Sequence, residues 1–435
     1  MRRCSVDKNP HRSETKPTLL LGCIADDFTG ATDLANNLTQ AGMRVVQTIG
    51  IPAGPIPGNV DAIVVALKSR TIPASEAVAA SLLALSWLRT GKPRQIYFKY
   101  CSTFDSTPKG NIGPVTDALM DALDCRFTVS TPAFPGANRT VYQGYLFVEG
   151  ELLNESGMRH HPLTPMTDAN LVRVLQKQTQ KRVGLIPHSI VSKGAESVAA
   201  KIKKLREGNV GIAIIDAIAN DDLFEASSAL IDLPLVTAGS GLASGLAYSL
   251  GFRPSRSAAT LPPPQGKSAV IAGSCSAATN KQVARFQKTG LPTWEVNPTD
   301  LAYGVDVVQQ ALEFAVPQLE KGTVLIYSTV NVDDLKQIQQ ELGSEEAGTM
   351  IEKALASIAR GLVNAGVGQL IVAGGETSGA CVQALDIRQL QIGPQIDPGV
   401  PWCYVTQGTS IHLALKSGNF GADDFFTSAF EKLGK

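Results

Sequence analysis

The sequence predicts an α/β protein of two domains, each with a mainly parallel sheet flanked by helices, and an active site in the cleft between the domains. Three observations predict this class. The 435 residues exceed what one hydrophobic core usually serves. Short β-branched runs alternate with helix-like segments along the chain. A stretch rich in Pro, Ser and Arg, "GFRPSRSAATLPPPQGKS" at 251–268, interrupts that alternation. We therefore expect an N-terminal domain at 18–254, a linker at 255–266 and a C-terminal domain at 267–435.

The predicted strands are short, continuous apolar runs. Runs of this length suit strands that are buried on both faces, as in a parallel sheet covered by helices. They cover residues 18–25, 44–49, 62–67, 95–100, 126–130, 182–186, 210–216, 233–238, 268–273, 323–328 and 369–374.

The amino-acid composition bears on the binding partners and the cellular compartment of the protein. Lys plus Arg and Asp plus Glu each number 39, so nothing in the charge favours nucleic acid or an anionic membrane as partner. The longest apolar stretch, at 77–88, is too short to span a bilayer. Seven cysteines without a C-x-x-C pair are typical of a reducing compartment, so we predict a cytoplasmic protein. Residues 1–17 are polar, lack the apolar core of a secretory signal, and are expected to form a disordered leader.

The first candidate site is an acid turn at residues 26–30, within "LGCIADDFTGATDLANNL". The strand at 18–25 places Asp26 and Asp27 at its carboxyl end, and a helix-spaced pattern follows. One carboxylate can then face a crevice as a catalytic base while the other braces the helix, whose positive end offsets their repulsion. The alternative is a simple helix-terminal charge at Asp27 with Asp26 solvated. Which of the two is the base stays open.

Two turns in the C-terminal domain share another pattern, an apolar strand followed by small residues and a helix start. They are a serine turn at 274–276 and a glycine turn at 374–377. Free backbone N–H groups and the positive end of a helix make such a turn an anion site, suited to nucleotide phosphates. A third small turn carries Gly418. For each of them, the alternative is a plain structural turn.

Cationic and hydroxyl side chains follow several strands of the N-terminal domain. Arg70 lies just after one strand, Lys99 ends another with Ser102 beyond it, and Asn138 and Arg139 follow a Pro/Gly loop. Together these groups suit a small polyhydroxy acid, because Arg and Lys bind carboxylate and the polar groups take hydroxyls. Ordinary surface charge is the alternative for any one of them.

Two other stretches resemble nucleotide-binding motifs but lack a residue that each motif requires. "PPPQGKS" resembles the end of a phosphate-binding P-loop, but Leu261 stands where a glycine is required. "GSGLASG" carries Ser244 at the third glycine position of the dinucleotide fingerprint, so a nicotinamide or flavin dehydrogenase is not favoured. No zinc-like ligand spacing occurs. Metal ligands stay unknown, although a loosely held Mg²⁺ needs only one or two carboxylates and phosphates.

Six motifs in order, across about residues 18–430, resemble the four-carbon acid sugar kinases. They are "GCIADDFTGATDLANNLTQAGM", "KYCSTFDSTPKGNIGPV", "PAFPGANRTVYQGYLFV", "GSCSAATNKQ", "AGGETSGA" and "SGNFGADDFF". The form "KYCSTFDST" is similar to the branch of the family that acts on 3-oxo-tetronate.

The resemblance implies an ATP-dependent kinase that phosphorylates the C4 hydroxyl of 3-oxo-tetronate, with Mg²⁺ as the metal. D-threonate and D-erythronate are alternative substrates, and a non-catalytic sugar-acid sensor is the alternative of another class. The oligomeric state stays open, a homodimer included. The resemblance implies substrate contacts at Asp26 or Asp27, at Arg70 and around residues 99–102, to which the residue pattern adds Asn138 and Arg139. The full candidate set is Asp26 and Asp27 for catalysis; Arg70, Lys99, Tyr100, Cys101, Ser102, Asn138 and Arg139 for the substrate; and Ser274, Ser276, Gly374, Gly375, Glu376, Thr377 and Gly418 for ATP.

Overall fold

A computed structural model describes residues 19–160, 164–328 and 344–433, so the predicted leader lies outside the described residues. The strands are β1 (Leu19–Ala25), β2 (Val45–Ile49), β3 (Ala62–Ala66), β4 (Pro93–Lys99), β5 (Thr128–Thr131), β6 (Arg139–Tyr142), β7 (Tyr145–Val148), β8 (Glu151–Leu152), β9 (Arg182–Ile186), β10 (Val210–Ile215), β11 (Leu235–Ala238), β12 (Lys267–Ala272), β13 (Thr293–Glu295), β14 (Val324–Tyr327), β15 (Val367–Ala373), β16 (Gln389–Asp397), β17 (Val400–Val405) and β18 (His412–Lys416).

Helices lie between most of these strands. They are α1 (Phe28–Gln40), α2 (Ala74–Arg89), α3 (Ile112–Ala122), α4 (Leu171–Gln176), α5 (His188–Val191), α6 (Ala195–Glu207), α7 (Asn220–Leu230), α8 (Leu242–Ser249), α9 (Ala277–Gln287), α10 (Pro298–Ala302), α11 (Val307–Gln318), α12 (Ser344–Asn364), α13 (Gly375–Ala384) and α14 (Phe425–Glu431). Among the described residues, no helix has the length and apolar character needed to cross a bilayer.

The predicted α/β class is confirmed, and every predicted strand is present to within two residues at each end. Within the described residues, the strands form one sheet of 15 in the order β13-β14-β12-β15-β18-β17-β16-β2-β3-β1-β4-β11-β5-β10-β9, beside a small sheet β6-β7-β8. The chain therefore does not build two separate sheets, because β2 and β16 pair antiparallel and join them edge to edge. Seven of the described strands were not predicted, namely β6, β7, β8, β13, β16, β17 and β18. In β16 and β17, glutamines and prolines interrupt the apolar pattern.

The direction of the strands reverses between the two halves. Three successive antiparallel pairs, β18 with β17, β17 with β16 and β16 with β2, make β1 antiparallel to β15. In a flat sheet, the carboxyl ends of these two antiparallel strands would point in opposite directions. Six strand-to-strand steps separate them, and a twist of roughly 20–25° per step rotates the sheet by roughly 120–150°. The carboxyl ends of β1 and β15 are thereby turned towards the same side.

Helix α1 lies between the two halves of the sheet. Its apolar face buries Ala31, Leu34 and Leu38 in the large core. On its other side, the Asn36 amide donates a 2.7 Å hydrogen bond to the Gln395 side chain of β16. Because α1 begins at the acid turn, this packing brings that turn against the C-terminal half.

The predicted linker is packed along the sheet. His412 Nε2 lies 2.9 Å from the Pro262 carbonyl, and the Gln391 amide donates to the Thr260 carbonyl at 2.9 Å. The prolines give an extended path, as expected, but the segment is held against β16 and β18. These hydrogen bonds hold the linker to the C-terminal half, and the β2–β16 pairing joins the two halves, so together they oppose a large movement of one half relative to the other.

Candidate functional site

Three strand ends meet at the acid turn. The Asp26 N–H donates to the Lys99 carbonyl at 3.1 Å, and the Ser69 N–H donates to the Asp26 carbonyl at 2.9 Å. These bonds fix the ends of β1, β3 and β4 side by side. Asp26, Asp27, Arg70 and Lys99 are therefore brought together, as the shared position after strands predicts.

Arg70 bridges the two acids. Its Nε and Nη2 donate to the two Asp26 oxygens at 2.9 and 2.8 Å, and Nη2 also lies 2.6 Å from Asp27 Oδ1. This guanidinium therefore offsets the repulsion between the neighbouring carboxylates, a task that the sequence had assigned to the helix end. Arg70 is thus engaged by protein acids and is not a free carboxylate clamp.

The two acids differ in accessibility. The Asp26 side chain is 8% exposed and the Asp27 side chain 25% exposed. Burial works to raise the pKa of Asp27, but the charges of Arg70 and Lys99 outweigh it and hold this pKa well below its usual range. Asp27 is consequently an ionised and partly exposed carboxylate, whereas Asp26 is the more buried of the two acids.

Gly30 permits the close approach of the charged groups. A Cβ at this position would lie under 3.0 Å from both Asp27 Oδ1 and Lys99 Nζ. Lys99 is 3% exposed, and its Nζ is 3.8 Å from Asp27 Oδ1. A side chain at residue 30 would therefore displace the Asp27 carboxylate or the Lys99 ammonium, a consequence of the fold that was not predicted from the sequence.

The other predicted substrate residues after β4 face different surroundings. The Tyr100 side chain is fully buried, with its hydroxyl 2.6 Å from Ser130 Oγ, so it points into the core. Cys101 Sγ lies 2.9 Å from Thr103 Oγ1, and burial raises the pKa of the Cys101 thiol to about 12. Ser102 is partly exposed in the turn. Of these residues, Cys101 interacts electrostatically with Arg70 and Lys99 of the cluster.

Asn138 and Arg139 lie at the start of β6. Asn138 adopts a left-handed backbone (φ 58°) and is exposed. Arg139 Nη1 donates to the Ala137 carbonyl, while its Nε is buried without a hydrogen-bond partner among the described residues. Arg139 also interacts electrostatically with Asp33 of α1. Arg139 thus lies near the acid cluster with donor capacity to spare.

In the C-terminal half, the serine turn is tied to Gly418. Ser276 is the N-cap of α9, and its Oγ accepts from the Thr279 N–H at 3.2 Å. The same hydroxyl donates to the Gly418 carbonyl at 2.6 Å. A Cβ at residue 418 would lie under 3.0 Å from Ser274 Oγ, so a side chain there would displace the Ser274 hydroxyl. The two predicted nucleotide segments are therefore adjacent.

Lys416 also holds the Gly418 turn in place, and this role was not predicted from the sequence. The fully buried Nζ lies 2.9–3.1 Å from four acceptors, Thr279 Oγ1 and the carbonyls of Ser417, Gly418 and Phe420, which share its three N–H groups. Burial lowers the pKa of Lys416 to about 8. A lysine at the end of an apolar strand and just before a glycine-rich turn was the available signal.

The glycine turn joins the same cluster. Gly374 has φ +123°, a conformation that disfavours other residues, and its N–H donates to the Lys416 carbonyl at 2.8 Å. Thr377 is buried, and its Oγ1 would lie under 3.0 Å from a Cβ at Gly273 or Gly374. Glu376 is exposed in the first turn of α13. All three small-residue turns thus converge, with helix N-termini at two of them.

Two contacts bring the acid turn and the glycine turn together. Lys68 Nζ, two residues before Arg70, lies 3.5 Å from the Glu376 carboxylate. The ring of Phe28, next to Asp27, would be 3.4 Å from a Cβ at Gly379 in α13. A cluster of acids and cations therefore faces an anion-binding arrangement across a narrow gap.

Comparisons with known proteins identify two family models along the chain. A model of a sugar-binding N-terminal domain matches residues 21–246, and a model of a nucleotide-binding C-terminal domain matches residues 269–426. A 3-oxo-tetronate kinase from Pseudomonas fluorescens is 54% identical over 424 residues, which cover 96% of this chain and 98% of that protein. Its counterpart from Burkholderia multivorans is 56% identical over 420 residues, which cover 95% and 97%.

Solved structures share the fold over nearly the full length. A Salmonella typhimurium protein, described as a putative tRNA synthase, superposes with a TM-score of 0.87 at 45% identity, over 95% of this chain and 99% of that one. A Haemophilus influenzae protein gives a TM-score of 0.81 at 44% identity, over 95% and 100% of the two chains.

Proposed function

The chain belongs to the four-carbon acid sugar kinase family, and we propose that it transfers the γ-phosphoryl group of ATP to the C4 hydroxyl of 3-oxo-tetronate. The observation that carries this proposal is the approach of the acid turn to the glycine turn, through the Lys68–Glu376 and Phe28–Gly379 contacts. Phosphoryl transfer needs an acceptor hydroxyl held in line with a phosphate, which two facing sites provide. The balanced charge of the chain favours small-molecule chemistry over a tRNA partner.

In this proposal, residues 267–435 bind ATP. The serine turn, the glycine turn and Gly418 hold the phosphates through backbone N–H groups and the N-termini of α9 and α13. Lys416 positions the Gly418 loop by donating to its carbonyls.

Mg²⁺ fits the donor set. Within the described residues, no group of three or more His, Cys, Asp or Glu side chains could hold a metal ion without further ligands. Mg²⁺ commonly takes one or two carboxylates and completes its coordination with phosphate oxygens and water. Glu376, beside the glycine turn, offers such a carboxylate. When bound, Mg²⁺ supplies positive charge that offsets the charge of the phosphates.

Residues 18–254 bind the sugar acid, with 255–266 as the connection. Asp27 accepts the hydrogen bond of the C4 hydroxyl, orients it towards ATP and takes its proton as the new phosphorus–oxygen bond forms. Arg70 positions both acids. Lys99 and Arg139 bind the far carboxylate, while Cys101, Ser102 and Asn138 line the space for the remaining oxygens.

Release of ADP across a panel of four-carbon acids tests the function. With ATP and Mg²⁺ present, we expect the highest kcat/KM for 3-oxo-tetronate and lower values for D-threonate and D-erythronate. A higher kcat/KM for either of these would move the chain to another branch of the family. Acid binding without ATP binding or ADP release would instead indicate a sugar-acid sensor.

Replacement of Lys416 tests the nucleotide half. We expect Lys416→Met to weaken ATP binding by about 10-fold or more, because four acceptors around Nζ lose a charged donor. In the wild type, the pKa of about 8 predicts ATP affinity that is highest below pH 8 and falls above it, as the ammonium loses its proton. Titration calorimetry at pH 7 and pH 9 measures both effects.

Lys193→Met is the matched control for this experiment. This substitution removes an exposed lysine that follows β9 in the chain. Because β9 lies at the end of the sheet farthest from the nucleotide half, ATP affinity should stay unchanged. Equal ATP affinity of Lys416→Met and wild type would remove Lys416 from the proposal.

A further inference from the structure

Asp33 is a third carboxylate beside the acid turn, and the proposed mechanism does not yet use it. It lies in the second turn of α1, where Oδ2 accepts a hydrogen bond from Ser240 Oγ, at the end of β11. Oδ1 is buried and has no hydrogen-bond partner among the described residues. An unpaired buried carboxylate oxygen is costly, so its persistence in a folded chain calls for a physical reason.

The surroundings place Asp33 in the same charged cluster. Lys99, Asp27 and Arg139 all interact electrostatically with its carboxyl group, and burial raises its pKa. From the C-terminal half, Gly399 lies beside Asp33, since a Cβ at residue 399 would be 3.4 Å from Oδ1, an ordinary van der Waals distance. The free oxygen therefore faces the contact between the two halves, next to the proposed sugar-acid site.

Each oxygen of the two neighbouring acids already accepts a hydrogen bond from a protein group, although the more exposed Asp27 keeps a lone pair for a further donor. Both oxygens of Asp26 accept from Arg70. Asp27 is engaged by Arg70 on one oxygen and by Thr29 Oγ1, at 2.9 Å, on the other. Within this trio, the oxygen without a donor belongs to Asp33.

An unpaired donor accompanies this unpaired acceptor. Arg139 Nε is also buried without a partner among the described residues, and Arg139 is electrostatically coupled to Asp33. A hydroxy acid can pair with both groups, since its hydroxyl can donate to Asp33 Oδ1 and its carboxylate can accept from Arg139.

We propose that Asp33 is a substrate-binding residue whose Oδ1 accepts a hydrogen bond from a hydroxyl of the sugar acid, while Arg139 binds the carboxylate of the same molecule. The proposal rests on the proposed function and extends it to a residue outside the candidate set. Ser240 acts as a positioning residue, because its hydroxyl fixes the rotation of the Asp33 carboxylate.

Calorimetric binding of 3-oxo-tetronate and of ATP to Asp33→Asn and Asp33→Ala tests this role without requiring turnover. We expect acid affinity to fall about 10-fold for Asn, which retains one acceptor oxygen, and about 100-fold for Ala. ATP affinity should stay within twofold of wild type in both variants. Ser240→Ala should give a smaller loss of acid affinity than Asp33→Ala.

Asp232→Asn is the matched control, because its side chain is 90% exposed and lies 3.3 Å from Arg94 at the surface. If Asp33→Ala does not fold, the near-isosteric Asn variant still measures the loss. Acid affinity within threefold of wild type in a folded Asp33 variant would overturn the proposal. Wild-type protein that binds the acid but releases no ADP would contradict the kinase function, and the Asp33 variants would still be judged by their acid affinity.

Discussion

Asp27→Asn is expected to lower kcat by about 10²–10⁴-fold, the range that a positioned general base contributes. The amide keeps the size of the side chain but cannot take the proton of the C4 hydroxyl. Arg70 retains its two bonds to Asp26, and Asp27 is the more exposed acid, so the fold should survive. Steady-state ADP release, together with thermal unfolding of the same sample, separates lost catalysis from lost structure.

Asp26→Asn provides the comparison for this experiment. It leaves Arg70 with one fewer ionised partner in a buried setting, and breaking such a pair typically costs about 3–5 kcal/mol. We therefore expect the Asp26 variant to lose stability chiefly and the Asp27 variant to lose turnover chiefly. Near-normal kcat in both variants would show that neither acid is the base.

Gly30→Ala is expected to reduce kcat/KM by about 100-fold or more. The added methyl group would lie under 3.0 Å from Asp27 Oδ1 and Lys99 Nζ, so one or both charged groups must move. A displacement of about 1 Å at a reacting group can cost about 10²-fold in rate. Kinetics at saturating ATP with varied sugar acid measure this loss.

Gly54→Ala is the corresponding control glycine. Gly54 is exposed, and a Cβ there would meet no atom within 4 Å, so activity and stability should match wild type. A Gly30→Ala protein with kcat/KM within threefold of wild type would mean that the Asp27–Lys99 arrangement tolerates displacement. The close packing at the acid turn would then not be a requirement for catalysis.

Local pattern was sufficient for much of the molecule. The lengths of apolar runs predicted most of the parallel strands, although not β13 and β18, because a strand buried on both faces leaves a signal within its own few residues. The glycines at 374 and 418 and the acids at 26 and 27 were found for the same reason, since turn chemistry is local. The six motifs that resemble the four-carbon acid sugar kinases also lie in short segments, and the family assignment they predicted is confirmed.

Long-range contacts produced the features that local pattern could not give. Arg70 and Asp26 are 44 residues apart, so no local pattern shows that this guanidinium is already engaged by protein acids. Lys416 contacts Thr279 of α9, and Ser240 contacts Asp33 of α1, only because the fold packs elements that are distant in the sequence against one another. The pairing of β2 with β16 and the accumulated twist likewise set which turns face one another. Spacing along the chain encodes the geometry of each element, whereas the free or occupied state of a charged group depends on neighbours that the completed fold supplies.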